Sequence, residues 1–189
     1  MRKIIYSLFA MSLLLSCTTE SSDELSAKNE TPCTPTITVE DIYAGQNILV
    51  GFLEVTNDDQ NLSVTYNTEN GWFMEELHVF VGDFDDVPDA NGNPKPGRFV
   101  YKATLSPLLN TYTFTIPLNE VVVDAVSGCY VVAAHSVVKL SNGSGGYTQS
   151  ETGWAGSLQF PGNNWATYLH HCPADCNDNG GGDEDDAIR

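Results

Sequence analysis

From Thr36 to His171, apolar and polar residues alternate with a period of two in short runs separated by turn residues, and no stretch carries helical periodicity with a cap at both ends. Side chains on a strand point alternately to opposite faces, so the pattern commits this region to extended chain. Gln46 to Thr56 sets Ile48, Val50 and Phe52 on one side and Leu49, Leu53 and Val55 on the other. After the polar turn Asn57 to Asn61, Leu62, Val64 and Tyr66 alternate with Ser63, Thr65 and Asn67, completing a hairpin. Trp72 to Val81 is a further strand, and the loop Asp83 to Gly97 carries four Asp, three Pro and the turn signal Asn91-Gly92. Phe99 to Leu105, Thr111 to Leu118, Cys129 to Leu140, Tyr147 to Trp154 and Trp165 to His170 complete the set. The run CYVVAAHSVVKL has the composition of a central strand buried on both faces. Eight or so short strands in about 135 residues predict an all-β fold, an antiparallel β-sandwich of immunoglobulin-like or jelly-roll type.

The flanks of this region are different in kind. Arg2 and Lys3 precede an apolar run, Ile4 to Leu15, which is shorter than the ~20 residues a membrane-spanning helix needs and reads as the hydrophobic part of a secretory signal. Leu14-Leu15-Ser16-Cys17 resembles the lipobox of bacterial lipoproteins, which makes Cys17 the expected lipidated first residue of the mature chain. The following TTESSDELSAKNETP is too polar to pack a core. The expected organisation is a signal peptide at 1–16, a lipidated Cys and tether at 17–34, the β-domain at 35–172 and an acidic tail at 173–189. The Ser22-Asp23-Glu24 cluster behind Cys17 resembles export signals of lipoproteins displayed on the outer face of the outer membrane, so that surface is the expected location.

The chain has 8 basic and 25 acidic residues, a formal charge of −17. Loss of residues 1–16 removes Arg2 and Lys3 and leaves 6 against 25, or −19. Nucleic acid is excluded as a partner, since binding it requires Lys and Arg to displace phosphate counterions. Attraction to anionic head groups is disfavoured for the same reason, so the membrane link is expected through acyl chains alone. Beyond Cys17, the even set Cys33, Cys129, Cys172 and Cys176 in an oxidising compartment predicts two disulfides of open connectivity. Zinc held by His170, His171, Cys172 and Cys176 is the weaker alternative, because neighbouring strand residues face opposite ways.

Residues 175–186, DCNDNGGGDEDD, match the ligand spacing of an EF-hand loop. Pro173 lies just ahead, only three residues follow, and position twelve is Asp rather than the longer Glu. A solvated acidic tail is therefore expected in place of a calcium loop. Asp83, Asp85, Asp86 and Asp89 are a second weak calcium candidate, and no other cofactor is expected.

No nucleophile elbow, zinc-protease helix, phosphate loop or dinucleotide fingerprint occurs, and no catalytic residue is assigned. A small hydrolase acting on surface polysaccharide, using Glu76 and Glu151, is the alternative to a binding protein; its carboxylates would have to lie ~5 to 9.5 Å apart. Counting by twos, Trp72, Met74, Glu76, His78 and Phe80 share one face, with Phe73, Glu75, Leu77, Val79 and Val81 on the other. The candidate binding face is Trp72, His78, His135, Glu151, Trp154 and Trp165, with Tyr43, Tyr66 and Tyr147 as further rings. Tryptophans would stack on sugars while the histidines and Glu151 make polar contacts. The competing reading has the same tryptophans filling the core and the histidines satisfied within it.

The stretches AGQNILVGFLEVTNDDQNLSVTYNT, GWFMEELHVFVGD, NPKPGRFVYK, AAHSVV, ETGWAG and FPGNNWATY span most of residues 44–168. Taken in order they resemble a β-rich module that recurs, alone or in tandem, in secreted and surface proteins of bacteria and archaea. The resemblance implies an extracellular domain that acts as an adhesion, glycan-binding or cell-envelope interaction module, with a glycan or another surface protein as partner. It carries no catalytic residue.

Overall fold

A computed structural model describes residues 36–173. Cys17, Cys33, Cys176, the signal-like segment, the tether and the EF-hand-like tail lie outside the described residues. Twelve strands follow one another: β1 (Ile37–Ala44), β2 (Ile48–Asn57), β3 (Asn61–Thr68), β4 (Trp72–Gly82), β5 (Asp89–Ala90), β6 (Asn93–Pro94), β7 (Tyr101–Leu109), β8 (Thr111–Pro117), β9 (Tyr130–Ser141), β10 (Tyr147–Ala155), β11 (Leu158–Gln159) and β12 (Thr167–His171). The turns between them follow from their residues. Gly45 and Gln46 both take positive φ in the three-residue connection Gly45-Gln46-Asn47 that closes the β1–β2 hairpin. The Asp58 carboxylate accepts from the amides of Gln60 at 2.8 Å and Asn61 at 2.6 Å, fixing the β2–β3 register. Asn91-Gly92 closes the small β5–β6 hairpin, as its sequence predicts.

All pairings are antiparallel, and the fold is all-β as expected. The main sheet runs β7-β4-β9-β10-β1-β2-β3-β8, so its two ends, β7 and β8, are neighbours in sequence through Asn110, and the sheet curls into a nearly closed, barrel-like wall. β9 is its hub. One edge pairs with β4 from Val131 to Leu140; the other passes from β12 at Tyr130–Val132 to β10 at Ala134–Ser141.

Two apolar clusters lie on opposite faces of β9. The larger fills the interior, with Leu53, Leu62, Tyr66, Leu77, Val132 and Ile116 among its members. The smaller covers Val131 and Ala133 from outside with Phe80, Phe99, Trp154 and Phe160. β9 is thus buried on both faces over its first half, which is why its sequence lacks a polar side. Cys129, just before β9, is disulfide-bonded to Cys172, just after β12.

Two β-bulges overturn the expected division of faces. On β2, Ile42 pairs with Gly51 but Tyr43 pairs with Leu49, so one extra residue turns Val50 inward beside Leu53 and Val55. Gly51 permits this: its φ is 154°, and a Cβ there would lie 1.9 Å from the Asn67 carbonyl oxygen. On β4 the partner on β9 moves by one residue between Met74 and Glu76, which makes Glu75 the extra residue. Trp72 and Met74 therefore point into the core with Leu77, Val79 and Val81, whereas His78 points out.

Candidate functional site

Past the Glu75 bulge, β4 presents His78 to the outer face. There the register joins six strands in a row of directly opposed residues, Lys102–His78–His135–Trp154–Tyr43–Leu49, from β7 through β4, β9, β10 and β1 to β2. Directly opposed residues of an antiparallel pair share a face and touch. At the centre, His78 Nδ1 and His135 Nδ1 lie 3.3 Å apart, with ring centroids 5.4 Å apart. The His135 ring meets Trp154 edge to face at 4.9 Å. From the opposite face, the fully buried Tyr66 spans the core, its hydroxyl 3.2 Å from the His78 carbonyl oxygen and 3.3 Å from that of His135. Burial drives this phenol well above its usual pKa.

Both imidazoles are less basic than in water. Burial, reinforced by the neighbouring His78, lowers His135 to about 4. His78 is lowered chiefly by burial and also by Lys102, against the opposing pull of Glu76. At neutral pH the pair is uncharged, and a single proton between the two Nδ1 atoms makes one ring the donor and the other the acceptor. Lys102 directs its ammonium to the Gly97 carbonyl at 3.2 Å.

The remaining candidates are dispersed. Trp72 is 5% exposed in the interior cluster and Trp154 is 6% exposed under Phe99 and Phe160, so neither offers a free ring face. Trp165 packs partly buried against the outer cluster. Tyr66 is core, whereas Tyr43 and Tyr147 stay exposed; the Tyr43 hydroxyl donates to Asp41 at 3.2 Å. Glu151 pairs with Val138 and shares its inward-facing side, where it accepts from Gln149 at 3.1 Å. Glu76 opposes Val137, one residue along and on the other face, so the two carboxylates cannot flank one glycosidic bond.

In the acidic loop, Asp83 accepts from the amides of Asp85 at 2.9 Å and Ala125 at 3.0 Å, and Asp89 accepts from Gly92 at 2.8 Å. These carboxylates hold turns. Among the described residues, no three His, Cys, Asp or Glu side chains are grouped so as to hold a metal ion. A shallow pocket of about 130 Å³ lies beside this loop between Phe84 and Phe160, whose rings stack at 5.8 Å. It is well below the ~300 Å³ of an ordinary small-molecule site. His171 is buried and His170 faces the other way against Tyr168.

Sequence alone does not mark Lys102 as part of this site, and Tyr66, expected as a ring on the face, instead supports the pair from the core through its hydroxyl. Both enter through cross-strand register, which no local motif records. No protein-family model, no curated protein and no solved structure matches the chain.

Proposed function

We propose that this protein is a lipid-anchored, surface-exposed module of the outer membrane that works by binding, not catalysis, in adhesion or cell-envelope interaction. Its partners in this reading are the membrane, through acyl chains on Cys17, and a glycan or another surface protein at the outer face of β7-β4-β9-β10-β1. The observation that carries the reading is the row Lys102–His78–His135–Trp154–Tyr43, in which Lys102, His78 and Tyr43 reach the surface, the covered Trp154 braces His135, and no carboxylates stand opposed. The ordered resemblance of residues 44–168 to the recurring surface module supports it, as does the polar tether behind Leu14-Leu15-Ser16-Cys17. We read the curled sheet as a flattened sandwich of immunoglobulin-like or jelly-roll type. The Asn70-Gly71 turn supports this, since it leads from β3 to β4, strands that do not pair.

Two experiments test the reading. Cys17→Ala should leave the protein unprocessed or soluble, and full recovery of the variant with membranes would contradict the anchor. A pull-down on insoluble polysaccharides and on whole cells, run beside a reducing-sugar assay, should give retention without sugar release, weakened by Tyr43→Ala. Sugar release would favour the hydrolase.

A further inference from the structure

We propose that His78 and His135 form a bidentate site for a tetrahedral divalent transition ion, zinc above all, on the outer face of the β4–β9 pair. This goes beyond the surface-module reading and does not depend on where the protein resides. The two rings come from directly opposed residues of neighbouring strands and turn the same kind of nitrogen, Nδ1, toward each other at 3.3 Å. Two imidazole nitrogens bound at ~2.0–2.1 Å to a tetrahedral zinc ion lie about 3.3–3.4 Å apart. Adjacent nitrogens on a square-planar ion would lie closer, at about 2.9 Å, so the rings need the smaller movement to hold a tetrahedral ion.

The surroundings suit a ligand pair. The disposition is built in: the His78 and His135 backbones are held in register by the β4–β9 ladder, and the Tyr66 hydroxyl contacts both their carbonyls from within the core. Trp154 braces the His135 ring from the side. No protein group other than the facing imidazole hydrogen-bonds either Nδ1 among the described residues, so an ion displaces only that one hydrogen bond. Its proton moves through solvent to Nε2 of the same ring, leaving both Nδ1 lone pairs for the metal and both rings neutral. Glu76, exposed on the same face, adds negative potential that outweighs the opposing charge of Lys102, whose ammonium donates to the Gly97 carbonyl. The remaining two coordination positions open to solvent. They hold water, or a side chain or hydroxyl brought by a partner, which would make the ion a bridge in recognition.

Zinc is titrated calorimetrically into the full chain in metal-free buffer, with His78→Ala, His135→Ala and, as a control, His170→Ala. The expected result is one site lost or weakened about tenfold or more by either of the first two changes, since each removes half of a chelate, and unaltered by the third. Cobalt(II) in place of zinc should give the intense visible bands of a tetrahedral ion. Each variant is melted without metal to establish that it folds, and if His135→Ala is unfolded, His78→Gln at its half-exposed position decides the matter. Absence of zinc binding, zinc affinity that loss of His78 leaves unchanged, or an octahedral cobalt spectrum overturns the proposal.

Discussion

His171 and His135 stand in the same sheet and are both lowered to about 4 chiefly by burial, yet their rings are surrounded in opposite ways. His171 is 0% exposed and has a protein partner at each nitrogen: Nε2 lies 3.0 Å from Asn57 Oδ1 and Nδ1 lies 2.9 Å from the Thr38 hydroxyl. The Asn57 amide donates to the Asp58 carbonyl, which fixes its oxygen toward the ring, so Nε2 carries the proton and Nδ1 accepts from Thr38. Among the described residues His135 has one hydrogen-bonding side-chain partner, the imidazole of His78, on the outer face of the sheet. Low basicity alone therefore does not mark a functional histidine. Saturation of its nitrogens by protein separates a structural ring, which ties β12 to β1 and β2, from one free to take a ligand.

The largest effect should come from the staple beside His171. Cys172 follows this residue directly, and His171 pairs with Tyr130, next to Cys129. Replacing both cysteines by Ala releases a loop of 43 residues and should lower stability by about 3–4 kcal/mol in urea denaturation. A loss below ~1 kcal/mol would mean that the corner holds without it.

Next, His171→Ala should cost about 2–3 kcal/mol, because it leaves the buried Asn57 oxygen and Thr38 hydroxyl without their partner and opens a small cavity. Acid should produce a comparable or smaller loss at the same place. The folded protein keeps this ring neutral while the unfolded chain takes up the proton, so the stabilisation is complete above pH 6.5 and is lost as pH falls toward about 4. The shift bounds its magnitude at about 3 kcal/mol, and His171→Gln should remove that part of the pH dependence while leaving the part that His135 contributes in the same window. The smallest effect belongs to the His78–His135 pair. His78→Ala should change stability by less than about 1 kcal/mol, since the ring is half-exposed and makes one hydrogen bond. A large loss there would turn the pair into a second structural clamp.

What the sequence discloses and conceals follows from where the information sits. CYVVAAHSVVKL announces a strand covered on both faces because burial is written in its composition, and β9 is that strand. β1 carries no such mark: Ile37 and Val39 stand 60% and 55% exposed while Thr38 and Glu40 take the alternate positions, which blurs the inside-outside pattern. The bulge at Glu75 is also silent, since one inserted residue reverses the faces of a strand without altering its composition. Counting by twos through it joins Trp72 to His78, where the structure separates them. The pairing of His78 with His135, 57 residues apart, is set by strand order alone, as is the separation of Glu76 from Glu151. Local alternation yields strands, whereas a site assembled across strands needs their register.

The outer face between β4 and β9 is open to a ligand, whereas the His171 corner is closed. Long-range nitrogen–proton NMR of the imidazoles during a zinc titration tests this contrast most directly, because it reads every ring at once and distinguishes Nδ1 from Nε2. The Nδ1 signals of His78 and His135 should shift together and saturate at one zinc per chain, while both His171 nitrogens stay where they were. Movement of His171, or zinc binding that leaves His78 and His135 unchanged, would contradict it.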